Sequence, residues 1–165
     1  MRVLVSVASR HGATAEMGEE IALELARAGH VVHVVEPDEV EGVTDYDAVV
    51  LGSAVYAGRL AVALRALVER FGGQLRARPV WLFWSGPVGD PPLPITPPDD
   101  VHVVADAVGA FEPRCFVGRI DPGGLDLSER ALVALTQAPA GDFRDFDDVR
   151  AWARTVAENL TAQPV

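Results

Sequence analysis

The sequence predicts an α/β fold of three layers, a parallel five-stranded sheet between two layers of helices. Two observations carry this. Short valine-rich apolar runs recur at 3–8, 31–35, 46–51, 80–84 and 115–120, each nearly continuous, as strands covered on both faces require. Stretches with apolar residues three and four apart separate most of them, the spacing of a helix face.

The elements follow in order. Residues 3–8 form the first strand. A helix over 14–28 carries Met17, Ile21 and Leu25 on one face, with Gly29 as its C-cap. The second strand, 31–35, leads into a connection over 36–47 with six carboxylates and no basic residue. The third strand runs over 46–51 to Gly52. Leu60, Leu64, Leu67 and Phe71 mark a second helix, closed by Gly72 and Gly73. The fourth strand, 80–84, opens into a loop over 86–98 with prolines at 87, 91, 92, 94, 97 and 98. Val101, Val104, Ala105, Val108 and Phe111 suggest a third helix, although β-branched residues are stiff there. A fifth strand spans 115–120. Residues 121–143 are less regular, with a short helix over 127–135. Val149, Trp152, Ala153, Val156, Ala157 and Leu160 define the last helix. Asp145 is its expected N-cap, with Asp147 and Asp148 in the first turn.

Composition narrows the function. The 165 residues suit a single domain with one core. The 24 acidic and 14 basic residues give a formal charge of −10, and every basic residue is an arginine. That balance argues against nucleic acid, which needs a basic footprint, and leaves at most peripheral contact with anionic membranes. Without lysine there is no Schiff-base nucleophile and no Walker-type phosphate lysine. The lone Cys115 excludes a disulfide-stapled fold, and His11, His30, His33 and His102 lack the spacing of a metal site. The apolar run at 3–8 is too short for a signal peptide, so a cytoplasmic protein is expected.

In a doubly wound sheet, ligands sit beyond the carboxyl ends of the strands. Three loops there have unusual composition. Ser9, Arg10, His11, Gly12, Ala13 and Thr14 join the first strand to the first helix. Amides at a helix N-terminus, with nearby hydroxyls, can bind a phosphate, and Gly12 permits a tight turn. The loop is neither GxGxxG nor a Walker sequence, so dinucleotide and triphosphate readings lose their support. Arg10 either adds charge to the site or points away. His11 either meets the ligand or is an ordinary loop residue. Ser53, Ala54, Val55, Tyr56, Ala57, Gly58 and Arg59 follow the third strand. Their small side chains let a flat ring approach the backbone, with Tyr56 as a stacking face; the alternative is a tight turn with Tyr56 capping the sheet. Arg59 either binds an anionic substrate or lies on the surface. Ser85, Gly86, Pro87, Val88, Gly89 and Asp90 follow the fourth strand and can enclose the ring's other side. Trp81 and Trp84, three apart, face opposite sides of that strand, Trp84 nearer the expected ligand. No serine has an evident base–acid set, so no catalytic nucleophile is assigned.

Together these segments resemble the flavodoxin-like family, and more narrowly its branch that includes menaquinone-dependent protoporphyrinogen oxidases. The resemblance rests on the loop from Ser9 to Thr14, on Tyr46-Asp47-Ala48-Val49-Val50-Leu51-Gly52-Ser53, on Arg114-Cys115-Phe116-Val117-Gly118-Arg119-Ile120, and on the closing segment from Gly141 to Ala153. It implies a sheet order of 2-1-3-4-5 and one non-covalent FMN, its phosphate at residues 9–14 and its ring between the loops near Ser53 and Ser85. It also implies oxidation of protoporphyrinogen IX with a quinone acceptor. Tyr56, His11 and Asp90 then become candidates for proton handling or substrate orientation. Oxidase members carry a long basic and aromatic insertion near the fifth strand, whereas residues 121–140 here hold only Arg130 as a basic residue and no aromatic. Ala57 and Arg59 depart from the oxidase pattern too. A flavodoxin-like electron carrier, whose acidic surface suits a basic redox partner protein, is the competing expectation. A scaffold that has lost its flavin is a third.

Overall fold

The computed structural model describes residues 1–86, 96–136 and 139–163, Thr136 by its backbone alone. Its strands are β1 (Arg2–Ala8), β2 (Val31–Val34), β3 (Ala48–Tyr56), β4 (Arg59–Leu60), β5 (Val80–Ser85), β6 (Arg114–Phe116), β7 (Arg119–Ile120) and β8 (Gly141–Asp142). Its helices are α1 (Ala13–Arg27), α2 (Val62–Arg76), α3 (Asp99–Val108), α4 (Leu127–Thr136) and α5 (Phe146–Ala162). The main sheet runs β2-β1-β3-β5-β6, every neighbour parallel. Counting these parallel strands alone, this is the expected 2-1-3-4-5 order.

Strand alternation explains the continuous apolar runs. Leu4 and Ala8 of β1, Val49 and Leu51 of β3, and Leu82 and Trp84 of β5 face one core, under α2 and α3. Val3, Val5, Val7, Ala48, Val50, Trp81 and Phe83 face the other, under α1 and α5. Trp81 and Trp84 thus divide between the two cores as their spacing requires. Trp84 is 1% exposed and belongs to the α2–α3 core, so its indole is a packing group and not a wall for a ligand. Gly52 sits where the Phe83 ring crosses β3, and a Cβ there would lie 2.3 Å from that ring.

Several elements end elsewhere than the sequence suggests. β3 continues to Tyr56 and turns back at Ala57 and Gly58 to pair with β4, so the expected 53–59 loop is largely a hairpin. Both turn residues have positive φ, 49° and 76°, the mark of a two-residue turn that matches strand twist. α2 starts after Leu60 and runs through Gly72 and Gly73 to Arg76. The fully buried Leu75 holds that last turn, and burial outweighs the weak helix propensity of glycine. α3 stops at Val108. Phe111 lies beyond it against Trp81, ring centroids 4.8 Å apart.

The fifth strand divides. Arg114–Phe116 pairs with β5, while Arg119–Ile120 leaves the sheet to pair antiparallel with β8. Phe116 is pinned between Phe83 and Trp152, and the Phe143 amide donates to the Gly118 carbonyl, which draws the chain into the β7–β8 ribbon. At α5 the Asp145 carboxylate accepts from the Asp148 amide as expected. At α1 the Gly29 and His30 amides close the last turn on the Ala26 and Leu25 carbonyls.

Candidate functional site

The carboxyl ends of β1, β3 and β5 lie side by side, since Ala8 pairs with Ser53 and Ala54 with Ser85. This brings the three predicted segments together as far as they are described. Pro87, Val88, Gly89 and Asp90 lie outside the described residues.

The first loop is shaped from behind. Gly12 is the N-cap of α1 at φ 82°, and among the described residues no side chain caps that helix. The His11 carbonyl accepts from Arg119 (3.3 Å), and the Ala13 carbonyl accepts from Arg144 (3.2 Å). In a trans peptide the N–H points opposite to the carbonyl, so the Gly12 and Thr14 amides face away from these arginines. Thr14, 2% exposed, shares a 2.9 Å hydrogen bond between its Oγ1 and Ser85 Oγ, tying the first loop to the end of β5.

Arg10 turns away from the helix terminus. Its guanidinium meets Asp126 at 2.8 Å and Glu129 at 2.7 Å. His11 Nε2 lies 2.9 Å from the other Glu129 oxygen. Glu129 is 2% exposed and also accepts from the Asp126 amide, while Asp126 accepts from the Glu129 amide. The two carboxylates form a reciprocal capping box at the start of α4. The helix is legible in the apolar spacing alone, and the signal for these two carboxylates is the D-x-x-E spacing before an apolar run.

The second loop divides its tasks. Ser53 is fully buried; its hydroxyl donates to the Ala54 carbonyl (2.8 Å) and accepts from the Ala61 amide (2.9 Å). That side chain fastens the hairpin to α2 and is not free for a ligand. Val55 packs against the α2–α3 core, and Gly86 approaches it so closely that a Cβ would lie 3.3 Å from Val55 Cβ. The Tyr56 hydroxyl is buried without a partner among the described residues. Burial pushes its phenol up, and the Glu129 charge adds to that. Ala57, Gly58 and Arg59 are exposed.

Arg144, Asp142, Glu16 and Arg119 are further residues the sequence did not single out. Arg144 bonds both Asp142 oxygens (2.9 and 2.8 Å) and Glu16. These bonds hold the Asp142 carboxyl down to about 2, lower Glu16 as well, and raise Arg144. Cys115 is half-buried, and burial pushes its thiol up to about 11, so it is an inert packing group. A cavity of about 350 Å³ flanks the first loop on the β2 side, with Glu19, Glu36 and Asp38 on its wall. Three carboxylates make it a poor seat for a phosphate dianion.

A family profile described as flavodoxin domain matches residues 4–147. The chain belongs to the flavodoxin-domain family. A flavodoxin from the domain Archaea is 13% identical with a TM-score of 0.66, the alignment covering 98% of this chain and 99% of that one. A flavodoxin from Streptococcus pneumoniae TIGR4 is 19% identical with a TM-score of 0.59, over 96% and 99% of the two chains. Oxidised flavodoxin 1 from Bacillus cereus is 14% identical with a TM-score of 0.61, over 99% and 100%. At these identities the likeness shows the fold. No curated protein matches the chain.

Membership of this family indicates FMN as the cofactor. The flavodoxin-domain residues present fit it. Among the described residues, no side chain caps the first turn of α1, a Cβ at Gly12 would meet nothing within 4 Å, and the buried Tyr56 hydroxyl has no partner. Among the described residues no His, Cys, Asp and Glu group forms a metal site, and no helix is long and apolar enough to cross a membrane.

Proposed function

We propose that this protein is an electron carrier that works through FMN held at the carboxyl ends of β1, β3 and β5. The uncapped N-terminus of α1 carries the reading, with the His11 and Ala13 carbonyls turned onto arginines. Ser9, Arg10, His11, Gly12, Ala13 and Thr14 form the phosphate loop, in which the amides do the binding and the Thr14 hydroxyl ties the loop to Ser85. Ala54, Val55, Tyr56, Ala57 and Gly58 offer one wall to the flavin ring, and Ser85 and Gly86 at the end of β5 offer the other. Bound FMN supplies the one- and two-electron chemistry. The protein orients it, limits water around it and surrounds it with negative charge, which disfavours an anionic reduced ring. Asp126 and Glu129 neutralise Arg10, so Arg10 adds little positive charge to the phosphate. Absorbance-monitored titration of the purified chain with FMN tests this: one equivalent should bind with a shifted flavin spectrum, and absence of uptake would reject it.

One observation favours the oxidase as a second reading. Leu127, Ala131 and Leu135 lie one helical turn apart on α4, and the two leucines are 84% and 82% exposed, an aliphatic stripe beside the phosphate loop that suits an apolar porphyrinogen or quinone. Menaquinone-dependent turnover of protoporphyrinogen IX by FMN-loaded protein would establish it; loaded protein without turnover would leave the carrier.

A further inference from the structure

Arg144 stands outside every loop that the fold makes a flavin contact, yet its side chain is only 6% exposed and all its nitrogens are engaged. Nε and Nη2 grip the Asp142 carboxylate, Nη1 reaches Glu16 and the Ala13 carbonyl, and the guanidinium lies 4.9 Å from the Phe146 ring centroid. A planar fork fixed at this many points has one orientation. It therefore fixes the peptide plane between Ala13 and Thr14. Arg119 of β7 adds one 3.3 Å hydrogen bond to the His11 carbonyl, on the plane between His11 and Gly12.

We propose that Arg144, supported by Arg119, is a positioning residue for phosphate: by holding the loop's carbonyls behind, it presents the Thr14 and Gly12 amides to the ligand. The inference rests on the FMN reading above and adds what gives the loop its preference for a phosphorylated flavin. Arg144 has a second effect of the same sign. It neutralises Asp142 and Glu16, whose carboxylates stand at the N-terminal end of α1.

The phosphate is the difference between FMN and riboflavin, so the ratio of their dissociation constants isolates the loop from the ring walls. Both are measured by titration on the full chain, as wild type, Arg144→Lys, Arg144→Met and Arg154→Met. Arg154 pairs with Glu24 between α1 and α5 and serves as an ion-pair control away from the loop. Wild type should prefer FMN. Arg144→Met should lower that preference about ten- to a hundredfold, the loss of one or two charge-assisted hydrogen bonds, with riboflavin affinity little changed. Arg144→Lys keeps the charge but cannot bridge the carboxylates and the carbonyl together, so the preference should fall there too, by less. Arg154→Met should leave the ratio intact. An unchanged ratio in the Arg144 variants would overturn the proposal. Full rescue by lysine would reduce the role to charge, and failure of both variants to fold would reduce it to stability; either overturns positioning. If only the methionine variant fails to fold, the lysine ratio decides. A wild type that binds FMN no better than riboflavin rejects the phosphate loop itself, before any variant is compared.

Discussion

Gly52 has no room for any other residue. The Phe83 ring lies across it, so Gly52→Ala must displace a fully buried aromatic, at about 1–3 kcal/mol. Chemical denaturation should show a lower midpoint, and Phe83→Leu should recover part of the loss in the double variant. Additive losses would place the strain elsewhere. Asp142 gives a pH signature. The hydrogen bond from Arg144 holds its carboxyl at about 2, below the ordinary 3.8. A depressed carboxylate contributes stability that is present above the ordinary value and is lost as the pH falls through the lowered one. Stability should therefore decline as pH falls from 3.8 to about 2, and Asp142→Asn should flatten that limb. The carboxylate is partly exposed, so added salt should weaken the effect. Equal slopes in the two proteins would mean the pair does not form. Gly52 was visible in the sequence as a glycine before the flavin loop. Its partner was not, because Phe83 lies on a different strand and only parallel register brings the two together.

At the scale of elements, α4 shows what a local pattern conveys and what it leaves out. Its helical stretch was legible from 127 to 135, and the structure extends it by one residue. Its function as a latch was not, because Glu129 meets Arg10 and His11 more than a hundred residues away along the chain. Glu129→Ala removes the ion-pair partner of Arg10 and the acceptor for His11 and the Asp126 amide together, and should destabilise the protein by about 1–3 kcal/mol. Hydrogen exchange should quicken in α4 and in residues 9–12 while β3 and β5 stay protected. Unchanged exchange in α4 would show that the helix is held by something other than this carboxylate. The division of the fifth strand has the same origin. The apolar run 115–120 reads as one strand, but Arg119 and Arg144 tie the second half to the α1 terminus, and the chain turns out of the sheet.

For the whole molecule the formal charge of −10 is the dominant property. Electron transfer to a basic partner should slow markedly as ionic strength rises from about 0.01 to 0.15 M, where the screening length falls from about 30 to 8 Å. Stopped-flow rates with a cationic protein acceptor would show this. Reaction with a neutral quinone should change little over the same range, so the comparison separates the carrier from the oxidase. A salt-independent rate with the cationic acceptor would remove charge as a determinant of partner choice.

The layered α/β architecture was legible in the sequence, as was the sheet order through the family resemblance, and the loop at the end of β1 was legible as a candidate phosphate site. These are written in periodicity and in local chemistry: a strand buried on both faces is continuously apolar, and the free amides of a helix N-terminus after a strand can bind an anion. Which way the side chains at the ends of these strands point follows from tertiary packing alone. Arg10 pairs with carboxylates of α4, Ser53 is bonded into the hairpin and Trp84 lies in the core, while Arg144 and Arg119 reach the Ala13 and His11 carbonyls from the far end of the chain. Ion pairs and hydrogen bonds between distant segments depend on distances that exist only once the sheet has closed in register, and no spacing along the chain encodes them.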